Sequence, residues 1–127
     1  MSQKLCLIVD DEQSIRTYIT VVLQGGGFLT LEAENGIQAL ELVRELGSDL
    51  DLLVSDIQMP QMDGITLACA LRAEFPSVPL ILVSGYAELS QANLDAEFEF
   101  VQKPFSPATL LTIVEKMMRA KRSASSD

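Results

Sequence analysis

Four short apolar runs in this chain each stop at a polar or charged residue, and segments of helical periodicity separate them. Leu5-Cys6-Leu7-Ile8-Val9 stops at Asp10-Asp11-Glu12, and Asp51-Leu52-Leu53-Val54-Ser55 stops at Asp56. Pro79-Leu80-Ile81-Leu82-Val83 stops at Ser84-Gly85, and Phe98-Glu99-Phe100-Val101 runs into Gln102-Lys103-Pro104. Near-continuous apolar strands alternating with helices predict a parallel sheet covered by helices on both faces. On such a sheet the polar stops share one edge.

The helices are read from their spacing. Ile15, Ile19, Val22 and Leu23 make the first stripe, stopped by Gly25-Gly26-Gly27. Phe28 to Ala33 reads as a second strand, mixed in character and suited to a sheet edge. Asn35-Gly36 marks a turn, after which Ile37, Leu40, Val43 and Leu46 predict a second buried stripe that ends at Gly47-Ser48. A third helix runs from near Asp63-Gly64 to Phe75, where Pro76 closes it. Glu88 to Ala96 is a weakly amphipathic fourth helix. The last begins near Ser106-Pro107, in cap-then-first-turn order, with Leu110, Val114, Met117 and Met118 facing inward. Right-handed crossovers leave few topologies for five strands. The flavodoxin-like (βα)5 order 2-1-3-4-5 is the common one, and it makes strands 1 and 3 neighbours at the topological switch point where ligands bind. Asp10, Asp11 and Asp56 then meet at that crevice, with Ser84 and Lys103 on its other side.

Composition narrows the function. A chain of 127 residues with 48% hydrophobic content fits one domain with a real core. The division predicted is a folded unit over 1–122 and a short polar tail over 123–127. A net charge of −9 argues against a nucleic-acid surface. No apolar stretch approaches the roughly 18 residues of a membrane span. Met1-Ser2-Gln3-Lys4 leads straight into a strand, which predicts a cytoplasmic chain without a signal peptide. Cys6 and Cys69 are expected as buried free thiols. With no histidine anywhere, Ser-His-Asp catalysis and an internal phosphohistidine donor are excluded.

Singly, each polar stop has a plain explanation. Asp11 and Glu12 could serve a helix start, Asp56 a turn, Ser84-Gly85 a loop and Lys103 the solvent. Together they do not. Two unit charges about 4 Å apart repel by roughly 4 kcal/mol at an effective dielectric near 20, so clustered carboxylates call for a cation. A hard divalent ion with an incomplete oxygen cage fits magnesium, with manganese as a substitute. A carboxylate beside it can attack phosphorus and form an acyl phosphate. The Ser84 hydroxyl and Lys103 ammonium suit two phosphoryl oxygens.

Val9-Asp10-Asp11-Glu12, Asp56-Ile57-Gln58-Met59-Pro60 with Met62-Asp63-Gly64, Ser84-Gly85-Tyr86 and Lys103-Pro104-Phe105 occur in order. On these motifs, from Lys4 to about Arg119, the chain resembles the receiver domain of bacterial two-component response regulators. The stretches around Ser84 and Lys103 look most like receivers of hybrid histidine kinases; a stand-alone receiver is the other form.

The resemblance implies a phosphoacceptor role for Asp56, magnesium binding by Asp10, Asp11, Asp56 and the Gln58 backbone carbonyl, and no organic cofactor. It implies that Ser84 and Lys103 bind the phosphoryl group and that the Lys103-Pro104 bond is cis. Ser84 and Phe100 would act as the switch, altering the surface of the fourth helix, fifth strand and fifth helix. Gln58, Gly85 and Tyr86 would tune phosphoryl lifetime. The expected partners are a histidine kinase or histidine phosphotransfer protein, a downstream effector or fused output domain, and a second copy through that surface. Serine stands at position 84 where threonine is commoner. Such a protein modifies only itself and is not an enzyme in the usual sense. Two alternatives stand beside this reading: a haloacid dehalogenase-like phosphohydrolase, and a degenerate receiver acting as a phosphorylation-independent interaction module.

Overall fold

The computed structural model describes residues 3–85 and 98–125. Five parallel strands form one sheet: β1 (Leu5–Val9), β2 (Leu29–Ala33), β3 (Leu52–Asp56), β4 (Leu80–Ser84) and β5 (Phe98–Gln102). Their order is β2-β1-β3-β4-β5, as the alternation of elements predicts. The helices are α1 (Gln13–Gly25), α2 (Gly36–Leu46), α3 (Gly64–Glu74) and a C-terminal helix over Pro107–Ser125. Tyr86 and the helix expected over Glu88–Ala96 lie outside the described residues.

Period-two alternation divides the strands between two cores. Leu7, Val9, Leu53, Leu80 and Leu82 pack with Ala39 and Val43 of α2 and Leu67 and Leu71 of α3. Cys6, Ile8, Val54, Ile81 and Val83 face the other way, toward Ile19 and Leu23 of α1 and Leu110 and Val114 of the C-terminal helix. Every residue of β3 and β4 is buried, whereas four of the five β2 residues are not. Since full burial of a Leu, Ile or Val side chain contributes about 1.5–3 kcal/mol, the central strands anchor the sheet and β2 forms its edge.

Three details depart from the sequence-based expectations. Ile37 is 44% exposed, and the inner face of α2 is carried instead by Gly36, Ala39 and Val43. The reason is close approach. A Cβ at Gly36 would come within 3.0 Å of Met62, so the start of α2 is pressed against the loop after β3 and Ile37 is turned outward. Cys69 is exposed rather than buried, while Cys6 is buried and burial pushes its thiol pKa upward. Arg16, a cation, takes a place on the buried stripe of α1.

Helix starts follow the chemistry of their sequences. Asn35 and Asp63 cap α2 and α3 by accepting from the backbone N–H groups of Gln38 and Thr66. Ser106 accepts from Thr109 N–H at 3.1 Å before the C-terminal helix. Glu12 precedes α1 with no side-chain cap.

Candidate functional site

The acidic residues stand where two crossover loops leave the sheet. Asp10 follows β1 and Asp56 ends β3, and these strands are hydrogen-bonded neighbours. The ladders continue past the strand ends. Asp10 N–H donates to the Ala33 carbonyl at 3.2 Å, Ile57 N–H to the Val83 carbonyl at 3.0 Å and Lys103 N–H to the Ser84 carbonyl at 2.8 Å. The first residues of three loops therefore inherit the rigidity of the sheet.

Asp10, Asp11 and Asp56 each offer an oxygen, and these oxygens lie within 4.8 Å of one another. Asp10 is fully buried and Asp56 is 7% exposed, whereas Asp11 faces solvent. Lys103 Nζ sits 3.4 Å from both Asp10 Oδ2 and Asp56 Oδ1. The lysine is thus a shared counter-ion, not a solvated surface cation. Asp10 Oδ1 accepts from Glu12 N–H at 2.9 Å, so Asp10 closes the turn that leads into α1. Glu12 is exposed at the helix start and lies outside the carboxylate cluster.

Burial, then the neighbouring Asp10 charge, pushes the Asp56 carboxyl up to about 6, against the opposing pull of Lys103 and a backbone hydrogen bond from Gln58. Asp10 is also raised, chiefly by burial. One ammonium does not offset three clustered carboxylates. The donor set is all hard oxygen and leaves one side open, which fits magnesium.

The other expected residues that are described lie on β4, β5 and the loops after β3 and β4. Ser84 is buried at the end of β4, one residue beyond Val83, which pairs with Asp56. The Lys103-Pro104 peptide is cis. Gly85 follows β4, and a Cβ there would meet no described atom within 4 Å. Phe100 is half-buried and packs against the α2–α3 core, opposite Leu82. A groove of about 520 Å³ opens beside Asp11 and is lined by Ile57, Gln58, Met59, Pro60, Asp63 and Ile65.

Several positioning contacts went unread in the sequence. A Cβ at Gly64 would collide with the Asp56 carbonyl oxygen, and Gly64 N–H donates to the Ile57 carbonyl at 2.7 Å. Gly36 and Gly64 therefore press the loop after Asp56 from two sides, and the run Met62-Asp63-Gly64 carried that signal. Tyr18 Oη donates to the Phe105 carbonyl at 2.9 Å, and its ring meets Phe105 edge-on at 5.6 Å. Arg16 donates to the Asp10 carbonyl at 2.7 Å. Its place three residues before Ile19 on the apolar stripe was the available signal.

A doubly wound sheet with an acidic, lysine-bridged centre at its switch point defines a class of phosphoryl-handling α/β domain. The chain belongs to the response regulator receiver domain family, whose sequence model matches residues 6–115, and is a receiver domain of two-component systems. It is 46% identical over 115 residues to the sensor kinase CckA of Brucella abortus (strain 2308), covering 88% of this chain and 12% of that protein. The solved receiver domain of hybrid histidine kinase CckA has 32% identity and a TM-score of 0.78, covering 90% of this chain and 98% of that one. Response regulator TrrA of Thermotoga maritima, solved in complex with Mg(2+)-BeF, has 31% identity and a TM-score of 0.84, covering 91% and 99%. The chain spans about an eighth of the CckA kinase and about half, 52%, of DNA-binding response regulators that it also matches. Among the described residues, no helix is long and apolar enough to cross a membrane.

Proposed function

We propose that Asp56 accepts a phosphoryl group from a phosphohistidine on a partner histidine kinase or histidine phosphotransfer protein, in the cytoplasm. The observation that carries this reading is the cluster of three carboxylates within 4.8 Å, two of them sharing the Lys103 ammonium. An Asp56 carboxylate oxygen forms the new bond to phosphorus as the phosphorus–nitrogen bond breaks and imidazole leaves. Asp10, Asp11, the Asp56 carboxylate and the Gln58 backbone carbonyl would hold magnesium, or manganese in its place. The metal, when bound, neutralises the carboxylates and the charge of the phosphoryl oxygens.

Lys103 exchanges its carboxylate contacts for a phosphoryl oxygen, and the Ser84 hydroxyl donates to another. Movement of Ser84 toward the phosphoryl group lets Phe100 turn inward and changes the surface of β5, the C-terminal helix and the helix expected over Glu88–Ala96. An effector protein, a fused output domain or a second copy would read that surface. Gln58, Gly85 and Tyr86 control water access to the acyl phosphate. The receiver unit is taken as 1–122 and the polar tail as 123–127. The chain's chemistry is confined to its own aspartyl phosphorylation and dephosphorylation.

Intact mass after incubation with acetyl phosphate tests this. One added phosphoryl group is expected in the wild type with magnesium, and none without magnesium or in Asp56→Asn. An adduct that survives Asp56→Asn would assign the acceptor elsewhere.

A further inference from the structure

We infer that Arg16 is the positioning residue of the metal-binding loop: its guanidinium fixes the peptide plane joining Asp10 to Asp11, and so sets where the Asp11 carboxylate points. The inference rests on reading this site as a magnesium centre.

Arg16 is 5% exposed at the end of the first turn of α1. Taking a charged group out of water is costly unless its hydrogen bonds are met. Here they are met by three separate elements. Nε donates to Glu32 Oε1 on β2 at 3.1 Å, Nη1 to the Asp10 carbonyl at 2.7 Å and Nη2 to Gln13 Oε1 at 2.9 Å. The planar fork ties the end of β1, the edge strand and the start of α1 to one rigid group.

The middle contact has the chemical consequence. A peptide unit is planar, so holding the Asp10 carbonyl oxygen also orients the N–H and Cα of Asp11. Every other polar atom of Asp10 is held as well. Its N–H goes to Ala33, Oδ1 receives Glu12 N–H, and Oδ2 faces Lys103. Asp10 would keep its direction without Arg16. Asp11 is exposed, and its direction follows from the backbone that carries it. Loss of the guanidinium frees the Asp10–Asp11 peptide to rotate and moves one ligand out of the set. Glu32, opposite Ile8 in the β1–β2 register, holds the fork in its plane.

A merely structural Arg16 would affect stability and leave metal affinity unchanged. Manganese binding followed by electron paramagnetic resonance, with magnesium as competitor, separates the two roles. The proteins are wild type, Arg16→Lys, Glu32→Gln and Arg44→Lys. The last removes a bidentate pair with Glu74 at the ends of α2 and α3 farther from the site, and controls for stability alone.

Arg16→Lys keeps the charge and loses the fork. Its manganese Kd should rise about tenfold, the usual scale for losing a group that orients a ligand. Its phosphorylation by acetyl phosphate should fall at low metal and recover at saturating metal. Glu32→Gln should weaken binding a few-fold and Arg44→Lys not at all. Folded Arg16→Lys and Glu32→Gln proteins with wild-type manganese affinity would overturn the inference. If Arg16→Lys does not fold, Glu32→Gln decides alone: weakened affinity supports the inference, and unchanged affinity overturns it. A wild-type protein that binds no manganese defeats the magnesium-centre reading first, and this inference with it.

Discussion

Asp56 is held in the folded protein at an energetic disadvantage to itself. Its carboxyl is raised from 3.8 to about 6, so the native state binds this proton more tightly than the unfolded chain does. Stability therefore falls as pH rises from about 4 to 6, and above that the full penalty is present, on the order of 3 kcal/mol at most. Asp56→Asn should remove it. In metal-free buffer at pH 7.5 its melting temperature should exceed wild type by about 3–10 °C, with the gap closing toward pH 4. Magnesium should narrow the gap at pH 7.5 by stabilising the wild type. Equal melting temperatures at pH 7.5 would mean that neither burial nor the Asp10 charge penalises the Asp56 carboxylate. At this scale the sequence was informative where a residue's type betrays its chemistry, as with Asp10, Asp11, Asp56 and Lys103. It was silent where a side chain's role depends on a partner chosen by the fold. Arg16 finds Glu32 sixteen positions away, and nothing in either residue names the other.

Among the elements, α1 links both sides of the site. It carries Arg16 toward the Asp10 loop, and two residues on, roughly 200° around the helix, Tyr18 reaches the turn that begins at Lys103. Tyr18→Phe keeps the ring on Phe105 and deletes the hydroxyl that serves the Phe105 carbonyl, which should cost about 1 kcal/mol in urea unfolding. Tyr18→Ala loses the ring contact as well and should cost roughly 2–4 kcal/mol. If Tyr18→Phe matches wild type, water replaces the hydroxyl without loss. The described helices were legible to within a residue or two at the ends that Gly25, Asn35, Asp63, Pro76 and Ser106-Pro107 punctuate. The face of α2 was not. Periodicity pointed to Ile37, but the glycine before it permits a contact with Met62 that redirects the helix start, and periodicity contains no term for an absent side chain.

For the whole molecule, strand order was readable because strict alternation and handedness leave few choices, and because β2 is less apolar than its neighbours. The tie from α1 to the last turn, 87 positions apart in the chain, was not readable. Such contacts are consequences of the topology and carry no pattern of their own. The charge of −9 sits on a domain whose family passes signals between proteins, and the exposed ion pair of Lys116 with Glu99 at 2.8 Å lies on the face proposed to change. Surface pairs of this kind are worth little to stability, which leaves that face free to be rebuilt by a partner.

The three amides that extend the ladders beyond β1, β3 and β5 have a consequence for time as well as for shape. Asp10, Ile57 and Lys103 donate to carbonyls of adjoining strands in the same manner as residues of the sheet interior. Their hydrogens should exchange with deuterium as slowly as those of Val54 and Ile81, through opening of the whole domain and not of the loops. Faster exchange at Lys103 alone would mark the β5 side as a separately opening unit. If all three keep the sheet's pace, the centre has no loosened version of itself: a molecule that remains folded remains ready to receive.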